Sequence, residues 1–257
     1  MDLDLDGKVV VITGASGGIG SVLARQFLKQ GCRVALIART QDRLLGVAEK
    51  LKQEFNNEKI LALPADCLDE KLLSEAIANV ISKWKKIDVA IANIGDGRSE
   101  QDPIPTASSF AKAFRTNVDT AVNLSRAVKL ELQKSQGNLL FIASIAGLKV
   151  IGAPTDYSAA KAALVMLAKQ LAQKLAPEVR VNCIAPGNIF FEGGRWDELL
   201  QSNREIVEEM ISSSVPLQKF GTPMDVATAA LFLCSSRAAF ITGACLTVDG
   251  GQTTASQ

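Results

Sequence analysis

Short apolar runs, many of them β-branched, alternate along the chain with longer stretches in which apolar residues recur at helical spacing. Val9-Val10-Val11-Ile12 lies between Gly7 and Gly14. It reads as a strand buried on both faces, since a half-exposed strand would alternate apolar with polar. Ile19, Val22, Leu23, Phe27 and Leu28 follow at every third or fourth position and stop at Gly31, a helix with its terminator. A second strand is expected from Arg33 to Ala38, then a helix carrying Leu44, Leu45, Ala48, Leu51 and Phe55. A third runs from Ile60 to Leu63, before a helix with Leu72, Leu73, Ala76, Ile77, Val80 and Trp84. Further strands fall at Val89 to Ala92, Leu139 to Ala143, Val179 to Ile184 and Cys245 to Val248. Alternation of this kind requires parallel strands joined by right-handed crossovers. The predicted fold class is therefore α/β, a single doubly wound domain with a mainly parallel seven-stranded sheet and helices on both faces. One insertion interrupts the alternation, at about 188–216. It opens with Gly193-Gly194, carries a polar amphipathic helix from about Trp196 to Ile211 and ends at Val215-Pro216, a composition that suits a lid over a substrate.

Composition narrows the class. Hydrophobic residues make up 47% of the 257 residues and charged residues 21%, enough apolar material for one large core. With 28 basic and 27 acidic side chains the formal net charge is +1, which suggests neither a nucleic-acid partner nor an anionic membrane surface. The N-terminal Met1-Asp2-Leu3-Asp4-Leu5-Asp6 is acidic where a signal peptide needs positive charge, and no apolar run reaches membrane-spanning length, so a cytoplasmic protein is expected. Cys32, Cys67, Cys183, Cys234 and Cys245 are scattered, and there is no histidine. That argues against a metal site and for reduced thiols.

The absence of histidine changes the search for a proton donor, because the usual group for transfer near neutrality is missing. Tyr157 is the only tyrosine, and Lys161 follows it by four positions, which on a helix places the two side chains on one face. A nearby ammonium favours the phenolate, so the phenol pKa is expected to fall toward working pH. Upstream, the first strand runs into Thr13-Gly14-Ala15-Ser16-Gly17-Gly18-Ile19-Gly20 and then a helix. Glycines between a strand and a helix let the backbone approach a pyrophosphate seated on free N–H groups, the Rossmann-type arrangement.

Together these motifs resemble the short-chain dehydrogenase/reductase family, in its short single-domain branch, over about Gly7 to Gly251. The carriers are Thr13-Gly14-x-x-x-Gly18-Ile19-Gly20, Asn117, Ser144 with Tyr157-x-x-x-Lys161, Pro186-Gly187, and the ending Ile241-Thr242-Gly243 to Val248-Asp249-Gly250-Gly251. The resemblance implies an oxidoreductase that reduces a carbonyl compound with a nicotinamide cofactor, looking most like a 3-oxoacyl-[acyl-carrier-protein] reductase and assembled as a tetramer or dimer. It implies Tyr157 as general acid, Ser144 as a second donor to the carbonyl oxygen, Lys161 as the group that tunes Tyr157 and bonds the nicotinamide ribose, and Asn117 as the holder of a relay water. Cofactor contacts are implied for Gly14, Ser16, Gly18, Ile19, Gly20, Asn93, Gly95, Pro186, Gly187 and Ile189, with Asp66 and Cys67 at the adenine.

Cofactor choice has a physical argument of its own. An acid after the second strand binds a ribose 2′-OH, whereas an arginine accommodates a 2′-phosphate. Here the strand ends Ile37-Ala38-Arg39-Thr40, so NADP(H) is favoured over NAD(H) through Arg39. Two departures from the family pattern stand out. Ala92-Asn93-Ile94-Gly95 replaces the usual Asn-Asn-Ala-Gly, and Asn188-Ile189-Phe190-Phe191 follows Pro186-Gly187 where a threonine often bonds the nicotinamide amide. The polar loop Asp96–Asp102 and this altered segment leave a sugar or other polar carbonyl substrate open. A non-catalytic NADP-binding sensor is the alternative from another class.

Overall fold

The computed structural model describes residues 2–100 and 102–254. Seven strands form one sheet: β1 (Val9–Thr13), β2 (Arg33–Ala38), β3 (Ile60–Pro64), β4 (Val89–Ala92), β5 (Asn138–Ile142), β6 (Arg180–Pro186) and β7 (Cys245–Val248). Their order is β3-β2-β1-β4-β5-β6-β7, and every pairing is parallel, so the sheet is wholly rather than mainly parallel. β1 residues Val9 to Ile12 have no solvent exposure, as the unbroken apolar run requires.

Helices α1 (Gly18–Lys29), α2 (Gln41–Glu54) and α3 (Glu70–Trp84) follow the first three strands. Between β4 and β5 lie α4 (Ala107–Phe114) and α5 (Thr120–Ser135), which the alternation of apolar runs does not mark. Then come α6 (Thr155–Leu175), α7 (Arg195–Ser214) and α8 (Pro223–Cys234). Alternate strand positions feed two cores. Val10, Ile12, Val34 and Leu36 pack with Leu23 and Phe27 of α1 and Val226 and Ala230 of α8. Val9, Val11, Ala35 and Ile37 pack with Leu73 and Ile77 of α3, Leu124 and Val128 of α5 and Leu164 of α6.

The chain winds outward from β1 to β3 and then returns to start β4 on the other side of β1. A crevice opens outside the carboxyl ends of β1 and β4 at such a reversal, and open α/β sheets bind ligands there. The 188–216 segment reaches over this end of the sheet. Its helix α7 is longer than the amphipathic pattern indicates and is interrupted at Asn203, whose backbone is non-helical at φ −147° and ψ 55°. No helix among the described residues is long and apolar enough to cross a membrane.

Candidate active site

The cleft at the switch point has a volume of about 1220 Å³. One end is the loop after β1. Gly14 and Gly18 hold φ +68° and +51°, a left-handed conformation that favours glycine. The loop delivers α1 with Gly17 at its N-cap and no side chain capping its first N–H groups. Those donors therefore remain for an anion. Gly14, Ser16, Gly18 and Ile19 line the cleft. Gly20 does not; it packs beneath, where a Cβ would stand 2.2 Å from the Gly14 carbonyl oxygen. Asn93 staples the loop from β4: its side-chain amide donates to the Thr13 and Gly14 carbonyls, each at 3.2 Å, while its backbone N–H donates to Thr13 Oγ1 at 3.2 Å.

Ser144, Tyr157 and Lys161 line the other end of the cleft. Ser144 leaves β5 in extended conformation, with Oγ accepting from the Ala146 N–H at 3.2 Å. Tyr157 stands in the first turn of α6, its ring flanked by Gly97, where a Cβ would lie 3.5 Å from Cζ. Lys161 is buried, and Nζ donates to the Ile142 carbonyl at 3.2 Å. Asn117 does not reach the cleft surface. It sits, fully buried, in a π-helical stretch over Arg115–Asp119 that joins α4 to α5. Such single wide turns re-aim side chains at functional sites. Here the stretch turns the Asn117 amide toward the loop after β4: Nδ2 donates to the Ala113 and Asp96 carbonyls at 2.9 and 3.2 Å, and Oδ1 accepts from the Asp96 N–H at 3.2 Å. Gly95 brings Asn117 and Lys161 together, since a Cβ on it would stand 2.7 Å from Lys161 Nζ and 3.0 Å from Asn117 Oδ1.

The electrostatics correct one expectation. Burial pushes the Tyr157 phenol above its ordinary pKa; the nearby Ser144 hydroxyl pulls it down and the Asp96 carboxylate pushes it further up. Lys161 stacks 5.7 Å from the ring centroid but sends its ammonium to Ile142, so proximity along the helix does not become a lowered phenol. Burial also brings the Lys161 ammonium down to about 8.

Of the other predicted contacts, Gly95, Pro186, Gly187 and Ile189 line the cleft with Asn93. Arg39, Asp66 and Cys67 are not on its walls. Arg39 is exposed beyond β2. Asp66 Oδ1 accepts from the Leu68 N–H at 3.0 Å, and Cys67 is buried with its thiol pushed up to about 12. In their place the structure brings Arg43 of α2 to the loop, with Nη2 3.2 Å from where a Cβ on Gly17 would stand. Trp196 and Met210, in the helix predicted for the 188–216 segment, and Gln252, beyond β7, also line the cleft.

Two clusters join the loop after β4 and the 188–216 segment to this frame. The Asp156 carboxylate, immediately before Tyr157, accepts from Ser99 at 2.5 Å, Ser109 at 2.7 Å and the Tyr157 N–H at 2.8 Å. Arg98 pairs with Asp96 at 3.1 Å and with Glu198 of α7, so an ion pair spans from the loop after β4 to the 188–216 segment.

A family model described as enoyl-(acyl carrier protein) reductase matches residues 14–253. The chain belongs to the short-chain dehydrogenase/reductase family. It is 33% identical over 252 residues to the 3-oxoacyl-[acyl-carrier-protein] reductase of Rickettsia prowazekii, covering 97% of this chain and 98% of that one. It is 34% identical over 252 residues to the 7α-hydroxysteroid dehydrogenase of Escherichia coli K12, covering 97% and 96%. Among solved structures, L-sorbose reductase from Gluconobacter frateurii with NADPH and L-sorbose superposes with a TM-score of 0.92 at 30% identity over 100% of both chains. The 7α-hydroxysteroid dehydrogenase complexed with NADH and 7-oxo glycochenodeoxycholic acid gives 0.87 at 34% identity, over 97% and 96%. The chain is thus an oxidoreductase of a family that works on CH–OH and carbonyl groups with a nicotinamide cofactor.

Proposed function

We propose that this protein is an NADPH-linked reductase that converts a carbonyl compound to an alcohol with Tyr157 as general acid. The convergence of Ser144, Tyr157 and Lys161 on one end of a cleft, whose other end is the glycine loop, carries this reading. The glycine loop fits a dinucleotide, because Gly14 and Gly18 turn it in a left-handed conformation along the cleft wall and the first N–H groups of α1 carry no side-chain cap. When bound, the nicotinamide supplies the hydride for the carbonyl carbon. Tyr157, kept protonated by its surroundings, gives its phenol proton to the carbonyl oxygen. Ser144 donates a hydrogen bond to that oxygen, offsetting the charge that develops in the transition state. Lys161 holds a positive charge beside Tyr157 and offers N–H groups to the nicotinamide ribose. Asn117 fixes the loop that covers the pair, and a water beside it would relay protons to Lys161.

Preference for NADPH is supported by the missing acid after β2 and by two guanidinium groups, Arg39 and Arg43, in that corner of the fold. The 188–216 segment acts as a lid, tied down by Arg98 and Glu198. Exposed Leu130 on α5 and Met166 on α6 support assembly with further copies of the chain. The substrate is a 3-oxoacyl thioester or another ketone. A second reading, a keto-sugar or similarly polar carbonyl compound, is favoured by the polar loop Asp96–Asp102 and by the full-length likeness to L-sorbose reductase.

The test is NADPH oxidation across 3-oxoacyl thioesters, keto-sugars and simple ketones, repeated with NADH and with Tyr157→Phe. Turnover with NADPH that drops roughly 10²–10⁴-fold in Tyr157→Phe, with cofactor binding kept, is expected. Equal or better rates with NADH remove the cofactor preference. No turnover with any carbonyl compound, alongside intact NADPH binding, favours a dinucleotide sensor.

A further inference from the structure

Gln252 is nine-tenths buried beside the turn that follows β6, and its side-chain Oε1 has no hydrogen-bond partner among the described residues. An unpaired buried carbonyl oxygen is costly, so native proteins rarely keep one without a use. The surroundings hold it in place. Gly187 donates its N–H to the Val248 carbonyl at 2.9 Å, and a Cβ on Gly187 would stand 3.3 Å from Gln252 Oε1. Asp249 folds the segment into a fixed turn: one carboxylate oxygen accepts from the Gly251 N–H at 3.0 Å, the other from the Thr253 N–H and hydroxyl, both at 2.7 Å. Gly250 and Gly251, at φ +64° and +86°, give the turn its shape. The same side chain lines the cleft together with Pro186, Gly187 and Ile189.

A second observation sets the chemistry. Phe191, in the segment where relatives often carry a threonine for the nicotinamide amide, has no polar atom to offer. Its ring is turned to the glycine loop, with ring carbons 2.8 and 2.9 Å from where a Cβ on Gly18 would stand. The neighbouring Asn188 sends one side-chain N–H to Met210 Sδ at 3.9 Å.

We infer that Gln252 recognises the carboxamide of the cofactor's nicotinamide, one primary amide pairing with another in place of the missing hydroxyl. The inference rests on the dinucleotide reading of the cleft. The unpaired Oε1 is an acceptor, so it would take a hydrogen bond from the carboxamide N–H. It would fix which face of the pyridine ring meets Tyr157 and Ser144.

The test compares wild type with Gln252→Met and Gln252→Ala by calorimetric titration with two ligands, NADPH and 2′-phospho-ADP-ribose, which lacks the nicotinamide. Loss of one buried hydrogen bond is expected to weaken NADPH roughly tenfold in both variants. Affinity for 2′-phospho-ADP-ribose is expected to stay unchanged, which also reports that the variants fold. The 3-acetylpyridine analogue of NADPH, whose methyl group replaces the amide nitrogen, should then bind wild type and variants within a factor of about three. Unchanged NADPH affinity, or equal losses for both ligands, overturns the inference. If wild type binds neither ligand, the dinucleotide reading falls first and the role of Gln252 with it; if it binds 2′-phospho-ADP-ribose as tightly as NADPH, only the role of Gln252 falls.

Discussion

Ser99 donates its hydroxyl to the Asp156 carboxylate at 2.5 Å, which ties the loop after β4 to the residue directly before Tyr157. Burial works against the ionised carboxylate, yet the bonds from Ser99, Ser109 and the Tyr157 N–H outweigh it and hold the pKa below the ordinary value. Asp156→Ala leaves two hydroxyls and an N–H without their acceptor. Loss of about 1–3 kcal/mol in a urea melt is expected, together with a raised KM as the loop loosens. Because the folded pKa is depressed, this stabilisation is present above the free carboxyl's pKa and is lost as pH falls through the folded one. An Asp156→Ala protein with wild-type stability and KM at neutral pH counts against this linkage.

Gly95 is the contact through which Lys161 and Asn117 meet. A methyl group there, 2.7 Å from the ammonium nitrogen, must displace it. Gly95→Ala should lower kcat by on the order of 10²-fold, since small misplacements of a catalytic group have effects of that size. A steady-state assay with unchanged kcat would show that Lys161 tolerates another position.

Asp96 contributes to holding the Tyr157 phenol up. Replacing it with asparagine removes a negative charge that opposes ionisation, so the phenol should deprotonate at lower pH. Reduction needs the protonated form. The alkaline limb of the kcat profile for Asp96→Asn is therefore expected at lower pH than in wild type. A limb that moves to higher pH, or stays fixed, contradicts this assignment.

The burial of Lys161 costs stability. Its folded pKa is about 8, below the value near ~10.4 of a free lysine. The unfolded chain binds more protons between those two values, so the destabilisation is complete below pH ~8 and fades as pH rises to ~10.4. Lys161→Met should abolish turnover and raise stability at neutral pH by on the order of 1–3 kcal/mol, with the gain shrinking across that window. Thermal melts at several pH values read this directly; a variant less stable than wild type at neutral pH contradicts it.

The fold was legible because each strand of a wholly parallel sheet is buried on both faces and so appears as a bare apolar run, Val9 to Ile12 most plainly. Helices α4 and α5 were less visible. α4 buries none of its residues, and the π-helical stretch between the two breaks the 3.6-residue period. Ser144, Tyr157 and Lys161 were marked by a motif. Arg43, Asp156 and Gln252 were not, because each matters through a partner brought close only by tertiary folding. Gln252 lies more than 60 residues from the Gly187 turn it adjoins. The direction of the Tyr157 shift failed for a related reason: helical spacing reports proximity to Lys161, but desolvation depends on the loop from Asp96 that closes over the ring. The one available clue was the glycine at position 97, which leaves room for that closure.

The turn built on Asp249 also rests on the end of the 188–216 segment. Leu217 donates its N–H to the Gly250 carbonyl at 3.1 Å, and a Cβ on Gly250 or Gly251 would press on Val215 or Pro216 at 2.8 or 3.2 Å. The turn after β7 and the end of the 188–216 segment are thus mechanically one piece. If that segment closes over the cleft as proposed, a fluorophore joined beyond this turn would register the closure, and a bulky affinity tag fused there would act as a weight on it.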